Sequence, residues 1–180
     1  VLVNVPMDIF SEVIAVDSFE RIAENTRALK KPSIDDETAR EIIETLAKAN
    51  NPVAYIGGGI LLAQASDEMR DFADHMGLPI AHSLMGKGAV RDDHPLLLGM
   101  TGFWGTELTN QTCLNADYIF AVGTRFKEAD CSSWYPGYTF NIPGSKVIHI
   151  DIEPQEIGRN YPTEIGVVAD AKAALRVLTR

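Results

Sequence analysis

The sequence has 180 residues, which fits one ordinary domain with a buried core and is too short for two large ones. With 46% apolar and 23% charged residues it matches an average globular chain, no apolar run approaches the ~20 residues of a membrane span, and a formal charge of −9 without a basic stripe argues against nucleic acid. Its cysteines, Cys113 and Cys131, are too few for a disulfide framework and lack metal-ligand spacing, as suits a reducing, cytoplasmic setting.

Residues 1–5, Val-Leu-Val-Asn-Val, are β-branched and extended in character, and Pro6 and Asp8 end them. No cationic flank marks a signal peptide and no hairpin partner follows, so this strand is expected to pair in another domain or chain, with the abrupt start that of an excised piece. Residues 11–32 read as a linker, with a helix expected over 18–29 and closed by Lys30-Lys31-Pro32. The compact domain is expected over residues 33–180. Asp35, Asp36 and Glu37 load its first helical turn, Ala39, Ile42, Ile43 and Leu46 recur at helical spacing, and Asn50-Asn51-Pro52 stops that helix. A strand over 53–56 runs into Gly57-Gly58-Gly59, and Met69, Phe72, Ala73 and Met76 mark a helix that ends at Gly77. Strands follow over 78–81, 118–122, 146–150 and 165–168, with a helix over 108–115. A last helix is capped by Asp170 and carries Ala174, Leu175 and Leu178 on one face. Strands that are apolar throughout and alternate with helices predict a doubly wound α/β fold: a parallel sheet of five or six strands with helices on both faces.

In such a sheet a ligand sits beyond the carboxyl ends of the strands. There the sequence offers Gly57, Gly58 and Gly59, then His82-Ser83-Leu84-Met85, then Gly123-Thr124-Arg125, Asp151, and Ala169-Asp170-Ala171. Glycines let backbone approach a ligand, a following helix offers N–H groups to phosphate, Arg125 can fork onto phosphate oxygens, and Asp151 or Asp170 can accept from ribose or adenine. Together these suit a nucleotide. Each residue also has a plain alternative: glycines for a tight turn, Arg125 paired with Glu128, Asp170 as a helix cap. Leu62 stands where a dinucleotide fold places its third glycine, and neither G-x-x-x-x-G-K-[ST] nor G-x-S-x-G occurs. His75, His82, His94 and His149 are scattered, and each is expected at the surface or at a cap. The aromatic pairs Phe103-Trp104 and Trp134-Tyr135 fall in loops, to line a pocket or pack an interface.

Several ordered motifs carry a family likeness: Pro52-Val53-Ala54-Tyr55-Ile56-Gly57-Gly58-Gly59, Leu84-Met85-Gly86-Lys87-Gly88, Gly102-Phe103-Trp104-Gly105-Thr106, Ala121-Val122-Gly123-Thr124-Arg125-Phe126, His149-Ile150-Asp151-Ile152-Glu153-Pro154 and Glu156-Ile157-Gly158-Arg159-Asn160. From about residue 33 onward the chain resembles the central domain of thiamine-diphosphate-dependent enzymes, nearest to the acetolactate synthase branch. Residues 1–10 resemble the end of the preceding pyrimidine-binding domain. The resemblance implies three α/β domains in a homo-oligomer. Thiamine diphosphate and Mg²⁺ are then held between other domains, so the present chain has no catalytic or metal-binding residues and no carboligase activity alone. The middle domain holds FAD in acetolactate synthases and ADP in oxalyl-CoA decarboxylases, or serves only structure. By resemblance its ligand residues are Gly57, Gly58, Gly59, Ser83, Leu84, Met85, Gly102, Phe103, Trp104, Gly123, Thr124, Arg125, Asp151, Ile152, Asp170 and Ala171. Two departures count against a flavin: the family pattern Gly-Ala-Arg-Phe-Asp-Asp-Arg ends here in Ala129, and Ala169 replaces the glycine before Asp170.

Overall fold

Residues 2–13, 15 and 30–180 are described by the structure, a computed structural model that divides into two units, Val1–Lys30 and Lys31–Arg180. In the first unit the described residues form one helical turn, α1 (Met7–Phe10), and residues 2–5 form no strand. Among the described residues, then, the strand expected over 1–5 is not made. An extended segment without a neighbouring strand has no ladder to take its N–H and C=O groups. The helix expected over 18–29 lies outside the described residues.

The second unit is built on six parallel strands in the order β3-β2-β1-β4-β5-β6. They are β1 (Pro52–Ile56), β2 (Ile80–His82), β3 (Leu97–Met100), β4 (Tyr118–Val122), β5 (Lys146–Asp151) and β6 (Ile165–Val168). Alternate residues enter opposite cores, as the two-residue period of a strand dictates. Ala54, Ile56, Phe120, Val122, Ile148 and Ile150 face one, while Val53, Tyr55, Ile119, Ala121 and Val147 face the other. Into the first core pack α2 (Asp36–Lys48) with Ala39, Ile42 and Leu46, the short α3 (Gly59–Leu62) with Ile60, α4 (Ser66–Met76) with Met69 and Phe72, and α6 (Ala171–Leu178) with Leu175 and Leu178. Into the second pack α5 (Glu107–Leu114) through Cys113 and an irregular segment carrying Phe126, Cys131, Phe140 and Ile142.

Local chemistry sets the helix ends. Asp35 caps α2 by accepting from the Thr38 N–H at 2.8 Å, and the Asp117 carboxylate takes the Asn50 and Asn51 N–H groups just past its end. Gly77, at φ +62°, closes α4 in the left-handed region, while Leu78 N–H donates back to the Ala73 carbonyl. Because Leu78 is used in that closure and Pro79 has no N–H, β2 starts at Ile80 rather than at the expected 78. Strand β3 was not among the expected strands. Its Leu97-Leu98-Gly99-Met100 has no β-branched residue, Gly99 sits at φ +114°, and the register slips between Ile80 and Ala81 where it joins β2.

Candidate functional site

Strand β1 has β2 on one side and β4 on the other, so the chain order reverses between β1 and β4 and opens a crevice beyond their carboxyl ends. Ile56 and Val122 are in register there, and the chain leaves them through Gly57-Gly58-Gly59 and Gly123-Thr124-Arg125. A hollow of ≈ 250 Å³ lies at this point, lined by Gly57, Gly58, Gly59, Ser83, Met85, Gly123, Thr124, Arg125, Asp151 and Ile152 of the expected residues. A second hollow of ≈ 270 Å³ shares Gly59, Gly123, Asp151 and Ile152 with it and adds Asp170 and Ala171. Leu84, Gly102, Phe103 and Trp104 line neither. Leu84 N–H donates to Asp130 Oδ1 at 2.9 Å, and Gly102 is buried and clamped at both its N–H and its C=O by the Asn110 amide. Phe103 and Trp104 are exposed and meet only edge to face, with ring centroids 4.9 Å apart.

The glycines are explained first by each other. A Cβ on Gly57 would stand 2.2 Å from the Gly123 carbonyl oxygen, and one on Gly59 would stand 2.6 Å from Gly123 Cα. Gly57 N–H donates to the Val122 carbonyl at 3.1 Å and Gly59 N–H to the Gly123 carbonyl at 3.0 Å, so the two loops interlock backbone to backbone. Those donors are engaged, α3 is four residues long, and of the three glycine N–H groups only that of Gly58 meets no backbone acceptor among the described residues.

The segment after β4 is held carbonyl by carbonyl. His149 Nε2–H donates to the Thr124 carbonyl at 2.9 Å, Asn160 Nδ2 to that of Arg125 at 2.9 Å, and Trp134 Nε1–H to that of Phe126 at 2.7 Å. Phe126 itself has φ +46°, a conformation costing a side-chain-bearing residue about 1–2 kcal/mol. Its ring is fixed by Tyr55 at 5.1 Å, Tyr161 at 5.3 Å, His149 at 5.5 Å and Phe140 at 5.8 Å between centroids. The backbone on either side of Arg125 is thus held at fixed points.

Charges around the hollow are mixed. Arg125 Nε lies 3.6 Å from Glu156 Oε1, so its partner is not Glu128, which instead accepts from Ser133 Oγ. Asp151 is buried, and burial pushes its carboxyl above the usual range although it accepts the Glu153 N–H and faces His149 and Arg125. Asp170 does cap its helix: Oδ1 accepts from Ala173 N–H at 3.0 Å and Oδ2 pairs with Lys31 Nζ at 2.8 Å. The histidines divide. His75 is exposed, whereas His82 and His149 are buried, a correction to their expected surface placement: each lies on a strand flanked by others on both sides, and a main-chain carbonyl, of Ser83 or Thr124, takes up one ring nitrogen. Lys127, Asp130 and Glu153 line the first hollow and Lys31 the second, all missed from the sequence. Lys127 and Glu153 were reachable by reading each strand end two residues further; Lys31 and Asp130 arrive from loops that no spacing rule connects to the sheet. Among the described residues no group of three or more His, Cys, Asp or Glu side chains could hold a metal ion, and no helix is long and apolar enough to cross a membrane.

Comparison with known proteins agrees with this geometry. The chain is 37% identical over 139 residues to a probable acetolactate synthase large subunit of Methanocaldococcus jannaschii, covering 77% of this chain and 23% of that protein. It is 38% identical over 139 residues to an acetolactate synthase of Mycobacterium avium (77% and 22% covered) and 36% identical over 179 residues to a glyoxylate carboligase of Escherichia coli (99% and 29% covered). It therefore spans between 22% and 29% of the length of these relatives. With the doubly wound sheet, the ordered strand-end motifs, and a match over residues 39–178 to the family described as thiamine pyrophosphate enzyme, central domain, the chain belongs to that family.

Proposed function

We propose that this chain is the central domain of a thiamine-diphosphate-dependent carboligase of the acetolactate synthase kind, and that its strand-end rim binds the ADP half of FAD, or ADP itself. In this reading residues 1–10 close a preceding pyrimidine-binding domain, 11–32 link, and 33–180 form the nucleotide module. Other domains of the same polypeptide, in a cytoplasmic homo-oligomer, hold thiamine diphosphate and Mg²⁺ and carry the chemistry.

The observation that carries the reading is a cation aimed by a strained, fully pinned backbone over a crevice at the sheet's reversal point. Arg125 keeps 59% of its side chain exposed while the carbonyls of residues 124–126 are all held. Each hollow alone falls below the ~300–1,000 Å³ of small-molecule pockets. Joined through Gly59, Gly123, Asp151 and Ile152, they form a trough of the right order for an adenosine diphosphate. The Gly58 N–H, Arg125 and Lys127 are its available donors to a diphosphate. Both Asp170 oxygens are already engaged, which leaves Asp151 as the acceptor for ribose or adenine. A flavin ring would lie toward Met85, Phe103 and Trp104, all exposed in this unit, so ADP should be held by the domain alone and FAD should need cover from elsewhere in the polypeptide.

A second reading, a scaffold with no ligand, is favoured by the glycine interlock and the Asp170 cap, which account for those residues structurally. Calorimetric titration separates the two. The purified chain should be colourless and bind ADP weakly, with Arg125→Ala lowering affinity about tenfold or more, the worth of one charge-assisted contact. No heat from ADP or FAD, in this chain and in its full-length parent, would leave the scaffold standing.

A further inference from the structure

We infer that Glu156 is a positioning residue for Arg125, holding one edge of its guanidinium so that the opposite edge faces an incoming phosphate. This rests on the nucleotide reading above. Glu156 is buried, 8% exposed, yet sits between two arginines whose side chains are largely in solvent. Its Oε1 lies 3.6 Å from Arg125 Nε and accepts from Arg159 Nη1 at 3.1 Å, while its Oε2 is buried and meets no hydrogen-bond donor. A buried carboxylate with an idle oxygen is costly, and it persists where its charge has a use.

The geometry supplies that use. A guanidinium presents its donors in a rigid planar fork, so an ion pair on the Nε side leaves the two terminal nitrogens to engage a phosphate together. Arg125 lines the hollow, and Arg159 compensates the Glu156 charge independently, so Arg125 can lean toward a ligand without leaving a buried anion unpaired. The turn that carries Glu156 also grips Arg125 by its main chain, because Asn160 Nδ2 donates to the Arg125 carbonyl at 2.9 Å and to that of Phe126 at 3.2 Å. Glu156 and Asn160 together fix both ends of one cation: where its backbone sits and which way its head turns.

The test is a double-mutant cycle on the full 180-residue chain with ADP as the probe, read by calorimetry, alongside the ¹⁵N resonance of the Arg125 Nε–H without ligand. Arg125→Ala should raise Kd about tenfold or more and Glu156→Gln about three- to tenfold. The double variant should bind no worse than Arg125→Ala alone, and the resolved Nε–H signal of the wild type should merge with those of free arginines in Glu156→Gln. Should Glu156→Gln fail to fold, Glu156→Asp withdraws the carboxylate by one methylene and should give the same loss and the same coupling. Wild-type affinity in the Glu156 variants, or losses that simply add in the cycle, would overturn the positioning role while the nucleotide reading stands. If neither this chain nor its full-length parent gives heat with ADP or FAD, both fall together.

Discussion

A strand-end glycine invites a phosphate-binding interpretation, and here the distances rank the causes differently. At Gly57 the nearest obstacle to a side chain is the protein's own Gly123 carbonyl, at 2.2 Å, closer than any real Cβ contact. Gly123 in turn sits at φ +59° with Gly59 Cα 2.7 Å from where its Cβ would be. Close approach of the two loops comes first, and any ligand cradle is built on top of it. Gly57→Ala should therefore force the β1 and β4 loops apart and cost about 2–4 kcal/mol. Gly88→Ala is the control: at φ +84° with nothing within 4 Å, it should cost only the conformational strain, about 1–2 kcal/mol. Urea denaturation of both variants measures the difference. Equal losses would mean that the two loops part at little cost and that the interlock does not demand glycine at residue 57, which lies outside the left-handed region.

At the scale of elements, the question is whether Asp170 serves helix α6 or a ligand, and its two oxygens answer differently to substitution. Asp170→Asn keeps the cap to Ala173 N–H and loses the ion pair with Lys31, an exposed partner, so stability should change little. Asp170→Ala loses the cap and should cost about 0.5–2 kcal/mol in thermal or chemical unfolding. ADP affinity that collapses in Asp170→Asn at unchanged stability would move the ribose contact from Asp151 to Asp170. The same contrast between local signals and assembled ones explains what was legible in the sequence. Helices α2, α4 and α6 each bury one stripe, as with Ala39, Ile42 and Leu46, and the Asp35 and Asp170 caps and the closing Gly77 are local, so periodicity found them. Strands β1, β4 and β5 are apolar runs with turn residues at their ends. The face covered by α5 and residues 126–142 has no such period: it is filled by Tyr55, Phe126, Phe140 and Tyr161 meeting from distant points of the chain, and left-handed residues such as Phe126, Ser132 and Ser133 follow no propensity rule. The rim was legible wherever it follows a strand directly. Its electrostatics were not, because Arg125 finds Glu156 across 31 positions of sequence rather than Glu128 beside it.

For the molecule as a whole, a formal charge of −9 sets self-repulsion against buried polar groups, and pH decides between them. Lowering the pH toward 5.5 leaves most carboxylates ionised, so relief of repulsion is small in this range. The buried histidines act the other way. Burial holds His82 below its ordinary value of 6.5, against the Ser83 carbonyl and the carboxylates of Asp92 and Asp130, with Lys87 lowering it further. Burial likewise lowers His149, against the Thr124 carbonyl, Asp151 and Glu156. A depressed folded value means that the unfolded chain takes up protons first as pH falls, so the stability contributed by these neutral rings is whole above 6.5 and is lost on descending toward the folded values. One pH unit below 6.5 the loss is at most about 1.4 kcal/mol for each ring. The urea midpoint should therefore fall between about pH 7.5 and 5.5, and unfolding near pH 6 should take up protons, counted by calorimetry in buffers of different ionisation enthalpy. A midpoint that holds or rises on acidification, or unfolding without proton uptake, would show that charge repulsion governs this fold and that the two rings titrate freely.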